Sequence, residues 1–294
     1  MLRKIIQGNF FRKFLWNFTK KKEYESRNLF VDLMNKTAKS FGMNNTHYIN
    51  PSGLCENNKY CMTTARDLCI LTYKATLNKR LRRYYAKEYA ITRYIPILFS
   101  KIVKKKTINA KISATSINDF PIILEKTGGG DGHYALLSAI DFYGNIVVGA
   151  IMEALDEEHR FMAMCELITG VEQILMNKKH ISNCVVSAKS ACAYVVDNEC
   201  GALRCIYEQN PDCLFPTMST AKLMTVLIAL DYVNDNERIR VTPYDIMGTG
   251  YGDFLYLWDQ ICVRDLIYLC MLPSCCLAAN ILARLAGAKM LSQY

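Results

Sequence analysis

The sequence predicts an α+β fold in which an antiparallel sheet packs against helices. Two segments read as hairpins: "HYALLSAIDFYGNIVVGAIMEA", turning at Tyr143, Gly144 and Asn145, and "ACAYVVDNECGALRCIYEQN", turning between Asn198 and Gly201. Apolar stretches with helical spacing lie around them. The third observation is size and composition. With 294 residues, 51% hydrophobic and 21% charged, the chain can bury a sizeable core.

Taken in order, residues 29–42, "LFVDLMNKTAKSFG", read as a helix closed by Gly42. "MNNTHYINPSGL" is a turn-rich loop. "TTARDLCILTYKATL" is a helix with Thr63 or Thr64 as N-cap and Asp67 in its first turn. Residues 89–124 read as strands and loops, and the first hairpin follows. "DEEHRFMAMCELITGVEQIL" is a helix with acidic residues at its positive end. After the second hairpin come the apolar helix "STAKLMTVLIALDYV" and a variant capping box in "VTPYDI", where Asp245 reaches back to Thr242. Two more apolar helices, in "VRDLIYLCML" and "LAANILARLAG", flank "PSCC".

The net charge of +9 is concentrated locally. Residues 1–28 hold eight basic residues against Glu23 and Glu25, and further clusters cover Lys79 to Arg83 and Lys101 to Lys106. Such clusters favour anionic surfaces in general, but no nucleic-acid-binding signature accompanies them. The 13 cysteines include no C-x-x-C pair, and Cys69, Cys262 and Cys270 sit in apolar runs as small hydrophobes. Mostly free thiols are expected. No run of about 20 apolar residues exists for a spanning helix, and Arg12 and Lys13 interrupt any signal-peptide core.

The chemistry concentrates in three patches. "STAK" places Ser219 and Lys222 three residues apart at a helix start, on one face. A serine hydroxyl needs a base, and a lysine can serve only when neutral, a state favoured by burial and a nearby cation. "PSCCLAA" contributes Ser274, and "EKTGGGDGHYALLSA" contributes Lys126, Thr127, Gly128 and Gly129. His133 and Asp131 read as structural and turn residues. Tyr251 and Phe254 read as packing residues.

These patches and their flanks resemble the D-alanyl-D-alanine carboxypeptidases, the low-molecular-weight penicillin-binding proteins, from residue 29 to residue 287. That family carries S-x-x-K, S-x-N and K-T-G motifs. The resemblance implies a β-lactamase-like architecture: an antiparallel sheet flanked by helices, a mostly helical subdomain, and the active site between them. It implies Ser219, Lys222 and Ser274 as catalytic residues. Lys126 and Thr127 would bind the substrate carboxylate, with Gly128 and Gly129 lining the substrate strand. The N–H groups of Ser219 and Gly129 would form the oxyanion hole. The substrate would be a peptidoglycan stem peptide and the inhibitors β-lactams, with no metal, cofactor or nucleic acid, and an extracytoplasmic location. Peripheral membrane contact through residues 1–28 is the one further partner considered.

The order of the motifs departs from the family. The family's C-terminal half, with K-T-G, corresponds to residues 29–180 and its N-terminal half to residues 181–294, after a basic leader, 1–28, for which disorder is an open alternative. A circular permutant, linked through "MNKKHISNCVVSAKS", and a piece of two tandem copies both fit; one intact site is favoured. Cys276 stands where the family has the Asn of S-x-N, and a thiol offers neither a strong donor nor a strong acceptor. Glu125 precedes "KTG" where the family has an uncharged residue. A catalytically impaired homologue and a non-catalytic fragment are therefore the alternatives.

Overall fold

The computed structural model describes residues 23–85, 89–95, 101–106, 120–176, 185–246 and 255–293, with 85, 89–95 and 101–106 described as backbone alone. Helix α1 spans 23–41. Ser26, Phe30, Met34 and Ala38 recur every four residues and are all buried, so one stripe of the helix faces the core. Gly42, at φ +85, ends it. The Met43 N–H returns to the Ala38 carbonyl (2.9 Å) and the Gly42 N–H to Lys39 (3.0 Å), the paired bonds of a Schellman close. The sequence placed the start of this helix at residue 29. It begins by residue 23, because Ser26 continues the buried stripe and lies against the last helix. The end of the basic leader, 23–28, is thus part of the folded body; residues 1–22 lie outside the described residues.

The short strand β1 (Met62–Thr63) leads into α2 (Ala65–Leu77). Of the two candidate caps, Thr64 is the one used: its Oγ1 accepts the Asp67 N–H at 3.1 Å, a bond of about 1 kcal/mol. Helix α3 (Lys79–Tyr85) follows, then strands β2 (Tyr89–Ile95) and β3 (Lys101–Lys106). The first hairpin is β5 (His133–Phe142) and β6 (Asn145–Ala154), turning at Tyr143 and Gly144, with β4 (Ile122–Gly130) before it. Helix α4 spans His159–Leu175. The second hairpin is β7 (Ala188–Val196) and β8 (Leu203–Gln209). Most of the linker expected between the halves, 177–184, lies outside the described residues, as do Tyr251 and Phe254.

Both hairpins enter one five-stranded antiparallel sheet, ordered β4-β5-β6-β7-β8. Its central seam, β6 against β7, pairs Val147 with Val195 and Ala150 with Cys192. One face packs on α4 through Leu136, Ile140, Ile151, Met164, Leu167 and their neighbours. The other face joins a larger core with α1 and α2.

That larger core also takes in the remaining helices. The strand pair of β1 with β9 (Phe215–Pro216) leads into a 3-10 turn (Met218–Thr220) and helix α5 (Ala221–Ala229). Every residue of α5 is buried, which explains a sequence apolar nearly all round. Strand β10 (Arg238–Arg240), helix α6 (Pro243–Ile246) and strand β11 (Gln260–Cys262) follow. The reach-back read in "VTPYDI" is present, with the Thr242 N–H donating to Asp245 Oδ2 at 2.7 Å. Helices α7 (Val263–Met271) and α8 (Cys276–Leu291) complete the described chain, with β10, β11, β2 and β3 in a four-stranded second sheet.

Helices α1 and α8 meet backbone to backbone. A Cβ on Gly287 would lie 2.0 Å from the Ser26 carbonyl oxygen. Gly287→Val is therefore expected to force the two helices apart and lower stability by about 3 kcal/mol. Urea unfolding monitored by circular dichroism would read this as a lower midpoint at unchanged slope; an unshifted midpoint would mean that the helices do not touch.

Candidate active site

Ser219 sits in the 3-10 turn at the head of α5, and Lys222 one turn further on. Lys222 is fully buried, and its Nζ donates to Ser219 Oγ at 2.7 Å and to the Ser52 carbonyl at 3.0 Å. The second bond crosses from one half of the chain to the other. It depends on the loop "NPSGL". There Asn50 Oδ1 accepts the N–H groups of Ser52 (3.2 Å) and Gly53 (2.8 Å), while Asn50 Nδ2 donates to the Leu54 carbonyl (2.8 Å). Thr225 on α5 fixes the same loop through the Pro51 carbonyl at 2.6 Å.

Two glycines let backbone approach the nucleophile turn. Gly53, at φ +80, leaves no room for a Cβ, which would stand 1.7 Å from the Met218 carbonyl oxygen. A Cβ on Gly128 would stand 3.0 Å from the Thr217 carbonyl oxygen. Met218 itself adopts φ +45 and Ser274 φ +62, left-handed conformations that cost about 1 kcal/mol or more each. Both strained positions flank the same cleft.

Lys126 projects from β4 and is buried. Its Nζ donates to Ser274 Oγ at 3.0 Å and to the Thr127 carbonyl at 2.7 Å. Burial, and then the charge of Lys222, push Lys126 down to about 7.

Alternation along β4 divides the next residues. Gly128 shares the Lys126 face, against the nucleophile turn. Thr127 and Gly129 share the other, toward α4. A cavity of about 590 Å³ opens along the free edge of β4, lined by Thr127, Gly129, Ser219, Ser274, Tyr134 and Arg160 among others. Of the eight sequence-predicted site residues, Ser219, Ser274, Thr127 and Gly129 line it. Lys222 and Lys126 lie behind them, bonded to the two serines, and Gly128 packs against the Ser219 turn. Cys276 begins α8 next to Ser274, its Sγ near the Ser274 carbonyl (3.9 Å).

Arg160 is the residue that sequence reasoning missed. Buried in the first turn of α4, it donates from Nη1 to the Gly128 carbonyl (3.2 Å) and from Nη2 to Glu157 (2.7 Å), with its guanidinium against Gly129. The available signal was an arginine inside the apolar run that follows the first hairpin. His133 bonds Glu153 through Nδ1 (2.6 Å), and Asp131 accepts the Tyr60 hydroxyl (3.2 Å) in the turn after β4; both hold the hairpin end.

Two family models match separate parts of the chain. Residues 24–139 match the D-alanyl-D-alanine carboxypeptidase family, and residues 178–294 match the beta-lactamase enzyme family. The chain is a relative of these two families. It has the β-lactamase and penicillin-binding-protein-like fold, and the S-x-x-K and K-T-G patches fall in the two separate matches. No curated protein matches. Among solved structures, a D-alanyl-D-alanine carboxypeptidase from Mycobacterium tuberculosis H37Rv is similar at 20% identity and a TM-score of 0.38, over 47% of this chain and 53% of that one. The chain therefore spans about half the length of that relative. Among the described residues, no helix is long and apolar enough to cross a membrane.

The carboxypeptidase-like cleft stands on the Gly53 contact. Gly53→Ala adds an atom where none fits, at a φ that favours glycine, and is expected to cost at least about 2 kcal/mol. Thermal unfolding would test this; a melting temperature equal to that of the parent protein would show that the loop does not press on the nucleophile turn.

Proposed function

We propose that the protein is a serine-type D-Ala-D-Ala carboxypeptidase that acts on peptidoglycan stem peptides in the cell envelope and is acylated by β-lactams. The observation that carries this reading is the pair of Lys–Ser hydrogen bonds meeting at one cleft, Lys222 on Ser219 and Lys126 on Ser274. Lys222 takes the Ser219 proton as Oγ attacks the scissile carbonyl. Lys126, titrating near 7, passes a proton through Ser274 to the departing amine of D-Ala. The N–H groups of Ser219 and Gly129 receive the oxyanion, a contribution of roughly 10²–10³ in rate per donor. Arg160 and Thr127 hold the terminal carboxylate, taking the part that sequence reasoning gave to Lys126. Water then attacks the ester, its proton passing through Ser274 to Lys126 while Lys222 returns the first proton to Ser219 Oγ.

That one chain supplies both serines and both lysines supports a permuted single domain over a fragment that needs a neighbour. The contact of α1 with α8 supports it too, since the family's sequential helices meet there although they stand at opposite ends of this chain. A second reading, a homologue that is acylated but turns over slowly, is favoured by Cys276. The thiol cannot replace the two-sided hydrogen bonding of an amide beside Lys126.

Fluorescent penicillin is expected to label the purified protein covalently, and Ser219→Ala to lower labelling by roughly 10³ or more while the melting temperature holds. Label retained in that variant would place the nucleophile elsewhere. Release of D-Ala from a D-Ala-D-Ala peptide separates the two readings. Slow release that rises about tenfold or more in Cys276→Asn supports the impaired homologue, and release unaffected by that change rejects it.

A further inference from the structure

Glu125 is a buried titratable group that the mechanism leaves unused. Glu125 precedes Lys126 on β4 and shares the Thr127 and Gly129 face. It is buried, and neither carboxylate oxygen has a hydrogen-bond partner among the described residues. Directly across on β5 stands Ser138, whose Oγ also lacks a partner. Next in that row, on β6, comes Gly149, with Leu167 and Met164 of α4 closing over it.

Arg160 lies on the same face. A Cβ on Gly129 would come within 2.9 Å of its Nη1, and its Nε is buried without a partner among the described residues. The face therefore holds an unpaired carboxyl, an unpaired hydroxyl and one unpaired guanidinium nitrogen. The charges around Glu125 are few. From α4 comes Arg160 and, bonded to it from the turn before that helix, Glu157; from β4 itself comes Lys126, with Lys222 of α5 beyond. Ser138 is the polar neighbour from β5. Arg160 is the largest charge acting on Glu125, ahead of Lys126.

We propose that Glu125 sets the pH range over which Arg160 recognises a substrate carboxylate, leaving the guanidinium's field intact while neutral and cancelling it once ionised. This rests on the carboxypeptidase reading of the cleft. An ionised carboxylate in this position would be an unsolvated anion facing the cation that the substrate needs. A protonated one is a neutral wall. Burial pushes Glu125 up to about 8, against the opposing pull of Arg160 and Lys126. The sign follows: below about pH 8 the carboxyl is neutral and Arg160 attracts the carboxylate at full strength, and above it the attraction falls. Glu125 touches no reacting atom and acts through Arg160, as a positioning residue.

The test compares acylation of Ser219 by a β-lactam carrying its ring carboxylate and by the corresponding carboxamide. The ratio of second-order constants is expected to fall with pH above 7 in the parent protein. In Glu125→Gln, which mimics the neutral acid, the ratio at pH 9 is expected to exceed the parent's by about tenfold, with the two proteins converging toward pH 6. Glu125→Met, equally uncharged, gives the same result if charge is the cause and serves if the glutamine variant does not fold. In an Arg160→Gln background the advantage of Glu125→Gln at pH 9 disappears. Equal ratios at pH 9 in parent and variant, or an advantage that survives loss of Arg160, would overturn the inference.

A readout independent of activity is the infrared band of a protonated carboxyl. It is expected in the parent at pH 6, lost by pH 9, and absent from Glu125→Gln. A parent protein that shows this band yet takes no β-lactam at any pH refutes the carboxypeptidase reading. One that is acylated but lacks the band refutes the role of Glu125.

Discussion

The buried side-chain nitrogen of Lys222 holds the site together by bonding two partners from distant parts of the chain. One is its own helix neighbour, Ser219; the other is the carbonyl of Ser52, 170 positions away in sequence. A fully buried lysine is costly unless its donors are satisfied. The "NPSGL" loop must therefore be held at one distance from α5, and Gly53 allows that distance by carrying no side chain. The position of the loop in turn limits the nucleophile turn, and the left-handed Met218 is the residue that absorbs the constraint.

Around that bond the sheet does the rest of the positioning. Strand β4 lies at one edge of the described sheet, so Thr127 and Gly129 open onto a cleft while its side chains still alternate between two cores. One alternation sends Lys126 inward to Ser274. The next sends Thr127 and Gly129 toward Arg160. Two lysines, two serines and an arginine thus gather at one cleft, with no metal cluster among the described residues. Burial first, and then the charge of Lys222, bring Lys126 down to about 7.

Much of this was legible in the sequence, and the limits have physical causes. Period-two runs marked both hairpins, Thr64 and Gly42 marked helix ends, and Asp245 marked a reach-back cap. Each signal is local, made by residues within four positions of one another. The motif residues were legible as residue types at fixed spacing. Arg160 was not, because nothing local distinguishes a helix arginine that snorkels to water from one that bends under a strand; its partner is the carbonyl of Gly128, 32 residues away. The start of α1 was missed for the same reason. Ser26 reads as polar, and only the bare backbone of Gly287 makes its burial possible.

The seam between β6 and β7 bears on how the molecule comes into being. Residues that meet in the cleft leave the ribosome far apart in time: the strand bearing Lys126 emerges well before Ser219, and Ser274 comes last of all. Until β7 arrives, β6 has an open edge, and the first-made portion presents unpaired backbone to its surroundings. Closing separations of 148 and 170 positions is slow compared with local helix formation. The nascent chain is therefore exposed to edge-to-edge association from the emergence of β6 until β7 has followed it, and the cleft is completed only after Ser274 and the helix behind it have been made.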